Sequence, residues 1–388
     1  MSGGNEVRAA VDAIAARWRG ERAERLARQH LERADFDELR DAGVLALPVP
    51  VDHGGRWEGV TSLRPMAELY RHLAGADASV ALVSVMHPAV LGYWLFAPPH
   101  EGDAWRAQRD AVFASALAGQ QWGTITSEPG SGGDIARTKA TAQPLAGEPF
   151  LAGELYGVSG DKHFGSGSGI CHRMITTAVA DGESAPAVFV LDTDGQPWDG
   201  SAGFTLLAEW DGMGMAATQS HGMRLGGAPA VRMAWDGPVE QVTMAAGPAI
   251  ATLFTSVVLG ILDEAVGTAR AQLAAKADQL RAFEAVEWAR AEAEHWLAVQ
   301  AYEGALRAVE GADLAIALHD AIRAKQLVAE LGEQVLLRLT RVLGGGTYSR
   351  RSPFARWFED VRALGFLRPP WGLAYDTLLL TSFPPPGP

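Results

Sequence analysis

A glycine-rich loop that follows a short run of hydroxyl residues is the sequence feature that most constrains this chain. Residues 124–134 read Thr-Ile-Thr-Ser-Glu-Pro-Gly-Ser-Gly-Gly-Asp, and residues 160–167 read Gly-Asp-Lys-His-Phe-Gly-Ser-Gly. Glycines let backbone N–H groups approach a ligand closely, and successive N–H donors form a concave site for anions. Because side chains alternate along a strand, Lys162, Phe164 and Ser166 are expected on one face. An aromatic plane beside a hydroxyl donor predicts a site for a flat heteroaromatic cofactor with a phosphate tail.

The composition is that of a globular protein and argues against several classes of function. The 388 residues are 48% hydrophobic and 20% charged, and the net charge of −13 disfavours electrostatically driven nucleic-acid binding. Cys171 is the single cysteine, so an intrachain disulfide and a Cys-x-x-Cys site are excluded, and no metal site is expected. Residues 1–6 lack the order of a signal peptide, and no apolar window approaches the length of a membrane span. We therefore expect a cytoplasmic protein without nucleic-acid or membrane partners.

Three segments of different character follow one another along the chain. Residues 1–119 are rich in helix-forming residues. Residues 120–245 contain short apolar runs bounded by turn residues, which predicts strands of an antiparallel sheet or barrel. Residues 246–388 carry apolar positions four apart, which indicates core packing in a helix bundle. The sequence therefore predicts an α+β protein with helical, β and helical domains in that order.

Taken alone, the two glycine-rich stretches also fit a polar turn beside an ordinary β-hairpin. Together with three further motifs along the chain, however, they resemble motifs of the acyl-CoA dehydrogenase superfamily in the same order. Residues 127–134 are similar to the family's Thr-Glu-Pro-Gly-x-Gly-Ser-Asp loop, and residues 160–162 to its Gly-x-Lys strand. The other three motifs are Leu39-Arg40-x-x-Gly43 with Pro50, Gly54 and Gly55, then residues 210–218, and then residues 343–348 with Pro353 and Asp360. The resemblance covers essentially the whole chain. It implies an N-terminal helical domain, a central antiparallel β-domain, a C-terminal four-helix bundle, bound FAD and a homotetramer.

The resemblance also implies which residues contact the flavin. In the two glycine-rich stretches they are Thr124, Thr126, Ser127, Gly132, Gly133, Phe164 and Ser166. Phe164 takes the place of a tryptophan beside the isoalloxazine, and Ser166 takes the place of a hydroxyl residue at N5, the atom that accepts hydride. His163 is expected to face away from the ring.

A second group of residues is implied at the adenine end of FAD, across a subunit interface. These residues are Arg341, Gly344 and Gly345, and Arg341 stands where a glutamine is usual. The family's Arg-x-x-Phe-Gly motif is poorly kept, because residues 281–284 read Arg-Ala-Phe-Glu. The choice between FAD and FMN therefore stays open.

The largest departure from the family concerns the catalytic base. The glutamate that removes the α-proton of an acyl thioester corresponds to Arg368, and the alternative base position lies near Ile250. Arginine does not deprotonate at neutral pH, so the usual base is absent. His87 and Asp376 are candidate substitutes, each weighed against a plainer interpretation as a helix-packing histidine and a surface aspartate.

Arg368 also predicts a preference for an anionic ligand. It precedes two prolines, which fix φ and restrain the residue before them, so the segment is expected to be extended and stiff. If it lines the substrate site, a fixed cation there favours a carboxylate, phosphate or phenolate group. The alternative is that Arg368 points outward and Trp371 fills the space.

Three classes of function remain open. The resemblance implies a flavin-dependent oxidoreductase that dehydrogenates an acyl thioester, such as an acyl-CoA, or a similar substrate, with an electron-transfer flavoprotein as partner. The second class is a two-component flavin monooxygenase, which takes reduced flavin from a separate reductase and needs no α-proton base. The loss of both carboxylates and the poorly kept adenosine motif favour this second class. The third class is a non-catalytic flavin-binding protein.

Overall fold

The computed structural model describes residues 2–383, which form helices, then strands, then helices. The first helices are α1 (Ser2–Gly20), α2 (Arg22–Arg25), α3 (Arg33–Asp41), α4 (Leu63–Ala74), α5 (Ala78–Leu95) and α6 (Asp103–Leu117). The strands are β1 (Trp122–Thr124), β2 (Thr141–Pro144), β3 (Leu155–Gly165), β4 (Arg173–Ala180), β5 (Pro186–Asp192), β6 (Phe204–Ala208) and β7 (His221–Arg232). The last helices are α7 (Val239–Leu273), α8 (Ala282–Gly311), α9 (Leu314–Leu343), α10 (Pro353–Val361) and α11 (Trp371–Ser382). The predicted α+β class is confirmed.

The strands form a closed ring with two additional strands at its side. Strand β4 pairs with β2, β2 with β3, β3 with β7, β7 with β5, and β5 again with β4. Strand β1 extends the ring from β4, and β6 pairs with β7. Most pairings are antiparallel, as predicted, but β4 is parallel to both β1 and β2. The turns at one end of this ring carry the glycine-rich loop.

Helices α5 and α7 form the centre of the molecule. Helix α5 begins after Asp77, whose carboxylate accepts a hydrogen bond from Val80 N–H at 3.0 Å, and nearly all of its residues are buried. Helix α7 begins at Val239, ahead of the boundary that the sequence placed after residue 245. It packs closely on α4, because a Cβ added at Gly260 would lie 1.9 Å from the Arg71 carbonyl oxygen.

Both central helices are apolar enough to be compared with membrane spans. By length and composition, Ala78–Leu95 and Val239–Gln279 are able to cross a membrane, so the expectation that no window approaches a span is wrong. Within the structure, however, 78% and 83% of their most apolar windows are buried. One hydrophobic core joins residues of the first helices, the strands and the last helices. The three segments therefore hold one another at fixed positions around the cavity between them.

Candidate functional site

A cavity of about 870 Å³ lies where the three segments meet. One face of α5 contributes Leu82, Met86 and Tyr93, and α7 contributes Ile250 and Phe254. Apart from the Tyr93 hydroxyl, these side chains are apolar. A mainly apolar cavity of this volume with a few polar groups is typical of a site for a small organic ligand or cofactor.

The polar part of the cavity comes from loops of the strand region. The seven residues predicted to contact a flavin all line it, namely Thr124, Thr126, Ser127, Gly132, Gly133, Phe164 and Ser166. Residues of the loop 210–220 and of the segment 359–370 complete the lining. The sequence motifs therefore converge on one cavity, while the contact of each residue with a flavin stays a prediction.

A buried ion pair holds the glycine-rich loop against β3. Lys162 Nζ contacts Glu128 Oε1 and donates to the Thr177 carbonyl oxygen at 2.6 Å. Glu128 also accepts hydrogen bonds from Thr138 Oγ1 and from Lys139 N–H. Burial opposes the charge on Glu128, but these donors outweigh it and hold its pKa below the usual range. Both side chains of the pair are almost fully buried, at 0% and 5% exposure, so the pair fixes both ends of the turn.

The loop presents backbone N–H donors that have no acceptor in the part of the chain that the structure describes. Gly130, Gly132 and Gly133 have left-handed φ values of 77°, 65° and 83°, which other residue types rarely adopt. Among residues 2–383, the N–H groups of Gly130 and Gly132 have no hydrogen-bond acceptor. Free N–H groups in such a loop fit the phosphate of a flavin. Of the two glycines predicted near the phosphate, Gly132 keeps its N–H free within residues 2–383, whereas Gly133 N–H donates to Ser131 Oγ at 3.2 Å.

The predicted alternation of side chains along β3 is wrong at its end. The register with β7 shifts between Lys162 and Gly165, and Phe164 has a left-handed φ of 59°. Lys162 is therefore buried in its ion pair, whereas Phe164 is 59% exposed and lines the cavity. His163, which was expected to face away, also lines the cavity. The Phe164 ring lies edge-on to Trp210, with centroids 6.1 Å apart, so two aromatic rings border the cavity.

Three buried hydroxyls form a chain that determines how Ser166 meets the cavity. Thr218 Oγ1 lies 2.8 Å from the Met215 carbonyl oxygen, which carries no proton, so Thr218 must donate. Ser220 Oγ, 2.7 Å from Thr218 Oγ1, then donates to Thr218, and Ser166 Oγ, 2.7 Å from Ser220 Oγ, donates to Ser220. Each hydroxyl has a single proton, so Ser166 is left as a hydrogen-bond acceptor toward the cavity and is not the donor that the sequence predicted.

A buried carboxyl group fixes the loop at the other end of this hydroxyl chain. Met215 N–H donates to Asp360 Oδ1 at 2.6 Å, and Met215 has a left-handed φ of 51°. Burial raises the pKa of Asp360 to about 7, and the hydrogen bond from Met215 opposes that rise only in part. Asp360 belongs to the fifth sequence motif, but that motif did not predict its contact with the loop at Met215.

Neither substitute base is available to a ligand in the cavity. His87 is fully buried; its Nδ1 accepts from Trp122 N–H at 3.2 Å, and its Nε2 donates to the Leu45 carbonyl oxygen at 3.0 Å. Burial lowers the pKa of His87 to about 4, so the ring is neutral and structural. Asp376 is exposed on α11 and lies outside the cavity lining. The plainer interpretation of each residue is the one that fits the structure.

The carboxylates that do line the cavity are both engaged in ion pairs. Glu128 is paired with Lys162, and Glu359 lies 3.1 Å from Arg356 Nη1. Arg368, and Ile250 near the alternative position, where the resemblance implies a dehydrogenase base, both line the cavity. Among residues 2–383, the cavity therefore presents no unpaired carboxylate.

Arg368 lines the cavity and has no counterion among residues 2–383. Within residues 2–383 its guanidinium makes no ion pair and no hydrogen bond, and Tyr93 of α5 is one of its nearest ionisable neighbours. Burial lowers the pKa of Arg368, while Tyr93 and Asp134 oppose that shift. Burial also raises the pKa of Tyr93, so its hydroxyl keeps its proton and is a donor. The alternative in which Arg368 faces outward does not fit these neighbours.

The residues predicted at the adenine end lie outside the cavity of a single chain. Arg341 forms an ion pair with Glu287 at 3.1 Å, and Gly344 ends α9. Neither Arg341, Gly344 nor Gly345 lines the cavity. Arg281 precedes α8, where its backbone N–H donates to Glu284, so this departure from the family motif is used as a helix cap.

Tyr93 and Lys325 also support the site and were missed by sequence reasoning. Tyr93 lies on the same helical face as Leu82 and Met86, so the periodicity of α5 was a usable signal. Lys325 is fully buried on α9, and its Nζ donates to the Pro369 carbonyl oxygen at 2.9 Å. No local sequence pattern links Lys325 with Pro369.

Comparisons with known proteins agree with this architecture, although the sequence matches no family profile. The chain is 28% identical over 349 residues to the amino sugar nitrososynthase DnmZ of Streptomyces peucetius, covering 86% of this chain and 82% of the relative. The structure is similar to FMN-bound TdsC of Paenibacillus sp. A11-2, with a TM-score of 0.79, 21% identity and 98% of each chain covered. It is also similar to butyryl-CoA dehydrogenase of Megasphaera elsdenii, with a TM-score of 0.80, 18% identity and 98% of each chain covered.

The chain therefore has the acyl-CoA dehydrogenase fold, and the resemblance to that superfamily predicted from the five motifs is confirmed. The relatives with this fold include a nitrososynthase, a protein with bound FMN and an acyl-CoA dehydrogenase. They support a flavin-dependent oxidoreductase as the class of this protein.

Proposed function

We propose that this protein is a flavin-dependent oxygenase that takes reduced FMN from a separate flavin reductase. The observation that carries the proposal is the lack of an unpaired carboxylate in the described cavity lining. The resemblance implies a dehydrogenase base at Arg368 or near Ile250, and neither residue is a carboxylate. Dehydrogenation of an acyl thioester needs a base for the α-proton, since proton and hydride leave together. Oxygen transfer from a reduced flavin does not need that base.

The direction of the hydroxyl chain supports the same assignment. The chain of Ser166, Ser220 and Thr218 leaves Ser166 as an acceptor. Oxidised flavin has only a lone pair at N5, whereas reduced flavin carries a proton there. An acceptor beside N5 therefore favours the reduced form, which is the form that an oxygenase takes up as a substrate.

The described residues fit FMN better than FAD. The free N–H groups of Gly130 and Gly132 suit one phosphate, and Phe164 with Trp210 offers aromatic surface to the ring. At the adenine end, Arg341 is paired with Glu287 and residues 281–284 depart from the family motif. When bound, the reduced flavin supplies two electrons, so that one atom of O₂ enters the substrate and the other leaves as water.

The names of the similar proteins are consistent with the proposal. DnmZ is described as an amino sugar nitrososynthase, and TdsC as a dibenzothiophene monooxygenase. The flavin reductase is the partner that this chemistry requires. The cytoplasmic location and the homotetramer stay predictions from the sequence.

A second candidate function is dehydrogenation of an acyl-CoA, with Glu359 as its base. Glu359 lines the cavity, and its side chain is 31% exposed despite the ion pair with Arg356. Movement of Arg356 would free this carboxylate. Electrons would then pass to an electron-transfer flavoprotein.

One pair of measurements separates the two functions. Loaded with oxidised FMN or FAD under anaerobic conditions, the protein is expected to keep its oxidised flavin spectrum when butyryl-CoA is added. Supplied with reduced FMN and isotopically labelled O₂, it is expected to place one labelled atom in an apolar acid, as detected by mass spectrometry. Bleaching by butyryl-CoA that is lost in Glu359→Gln would instead establish the dehydrogenase.

A further inference from the structure

We infer that Arg368 and Tyr93 bind the acidic group of a substrate whose remaining part is apolar. The inference rests on the proposed function, because it assigns the substrate class of the same cavity. Arg368 comes from the segment before α11, and Tyr93 comes from α5, so two elements far apart in sequence direct two donors at one region. A guanidinium and a phenol together match a carboxylate or a phosphate, which accept several hydrogen bonds.

The charge balance of the cavity points to an anion. Glu128 is neutralised by Lys162, and Glu359 by Arg356. Arg362 also lines the cavity, and its Nε lies 3.9 Å from Glu333 Oε1. Within residues 2–383, Arg368 has no such partner, so a ligand with one negative charge would complete its hydrogen bonds and lower the cost of its burial.

The segment that carries Arg368 is held rigidly. Lys325 Nζ donates to the Pro369 carbonyl oxygen, and Pro370 contacts the glycine-rich loop, since a Cβ added at Gly133 would lie 2.7 Å from Pro370 Cγ. Because the guanidinium is presented by a fixed backbone, less conformational freedom is lost when an anion binds. The remaining wall beside Tyr93 consists of Leu82, Met86 and Val90, which suits an apolar substrate body.

The phosphate of FMN is a second source of the same chemistry. Asp134 lies close enough to Arg368 to influence its pKa, so the arginine is also near the end of the glycine-rich loop. We assign the acidic group to the substrate because the free N–H groups of Gly130 and Gly132 already suit the flavin phosphate. Binding of FMN and of riboflavin, which lacks the phosphate, distinguishes the two sources.

The test measures affinity without turnover, on the full chain loaded with FMN. Naphthoate is expected to bind more tightly than naphthamide, its uncharged analogue. Arg368→Met is expected to weaken the binding of naphthoate by about 10- to 100-fold, and Tyr93→Phe by about three- to tenfold. Neither substitution should change the affinity for naphthamide. Arg351→Met removes an exposed arginine that is outside the cavity lining and should leave both affinities unchanged.

Three results would overturn the inference. The first is equal affinity of wild type and Arg368→Met for naphthoate, and the second is failure of wild type to prefer the acid. The third is an Arg368→Met variant that loses affinity for FMN but not for riboflavin, which would assign the arginine to the flavin phosphate. If naphthoate binds as expected but no labelled oxygen is transferred to it, the assignment of an acidic, apolar substrate is supported. The proposed oxygen transfer is then wrong.

Discussion

Replacing Lys162 with methionine is expected to lower the free energy of unfolding by about 3–5 kcal/mol. The substitution leaves the Glu128 carboxylate buried and without its cation, and it removes the donor to the Thr177 carbonyl oxygen. The turn from Glu128 to Lys139 would lose its anchor on β3, so FMN should also bind more weakly. Denaturation by guanidinium chloride measures the change in unfolding free energy, provided that its dependence on denaturant concentration is the same in both proteins.

Two further variants test the cause of this loss. Lys139→Met removes an exposed lysine of the same turn and should cost less than about 0.5 kcal/mol. The double variant Lys162→Met with Glu128→Gln removes the uncompensated charge, so it should recover part of the stability. If Lys162→Met costs no more than Lys139→Met, the ion pair does not hold the loop.

Replacing Asp360 with asparagine is expected to abolish a fall in stability that the wild type shows between about pH 4 and pH 7. Asp360 is buried with a pKa raised to about 7, whereas an aspartate in the unfolded chain titrates near 3.8. Between these values the unfolded state releases the proton and the folded state keeps it, so stability is full at low pH and decreases as pH rises. The decrease is about 4 kcal/mol, at about 1.4 kcal/mol for each pKa unit.

Asparagine is a suitable replacement because its oxygen still accepts from Met215 N–H and carries no charge. Asp77 and Glu359 repel a charge on Asp360, and Arg356 attracts it. All three residues are present in the wild type and in the Asp360→Asn variant. Subtracting the two stability curves therefore cancels their contributions and those of other groups. We expect the variant to be more stable than wild type above pH 7, and parallel curves would contradict the raised pKa.

The glycine-rich loop was predictable from sequence because its geometry is local. Glycine and proline favour particular backbone conformations whatever the tertiary contacts are. Residues 127–134 therefore predict a turn with accessible backbone N–H groups from sequence alone. The helical segments were predictable for a similar reason, since their apolar periodicity records which faces are buried.

The parts that were missed depend on contacts between distant segments. Phe164 leaves the alternation because the register of β3 with β7 shifts beside it, and a strand taken alone does not reveal its partner's register. Lys325 reaches Pro369, 44 residues away, and Asp360 reaches Met215, 145 residues away. Only the packing of the bundle on the strand region brings Lys325 and Asp360 to the segments that line the cavity.

The cavity is expected to bind reduced flavin in preference to oxidised flavin, because Ser166 is an acceptor at the proposed N5 position. Anaerobic calorimetric titration of the protein with reduced and with oxidised FMN measures this preference. We expect one flavin per chain and about three- to tenfold tighter binding of the reduced form, the effect of one hydrogen bond. The Ser220→Ala variant lacks the oxygen that accepts the Ser166 proton, so the Ser166 hydroxyl can donate toward the cavity. The preference for reduced over oxidised FMN should then disappear. Failure to bind either form, or tighter binding of oxidised FMN by the wild type, would contradict the claim.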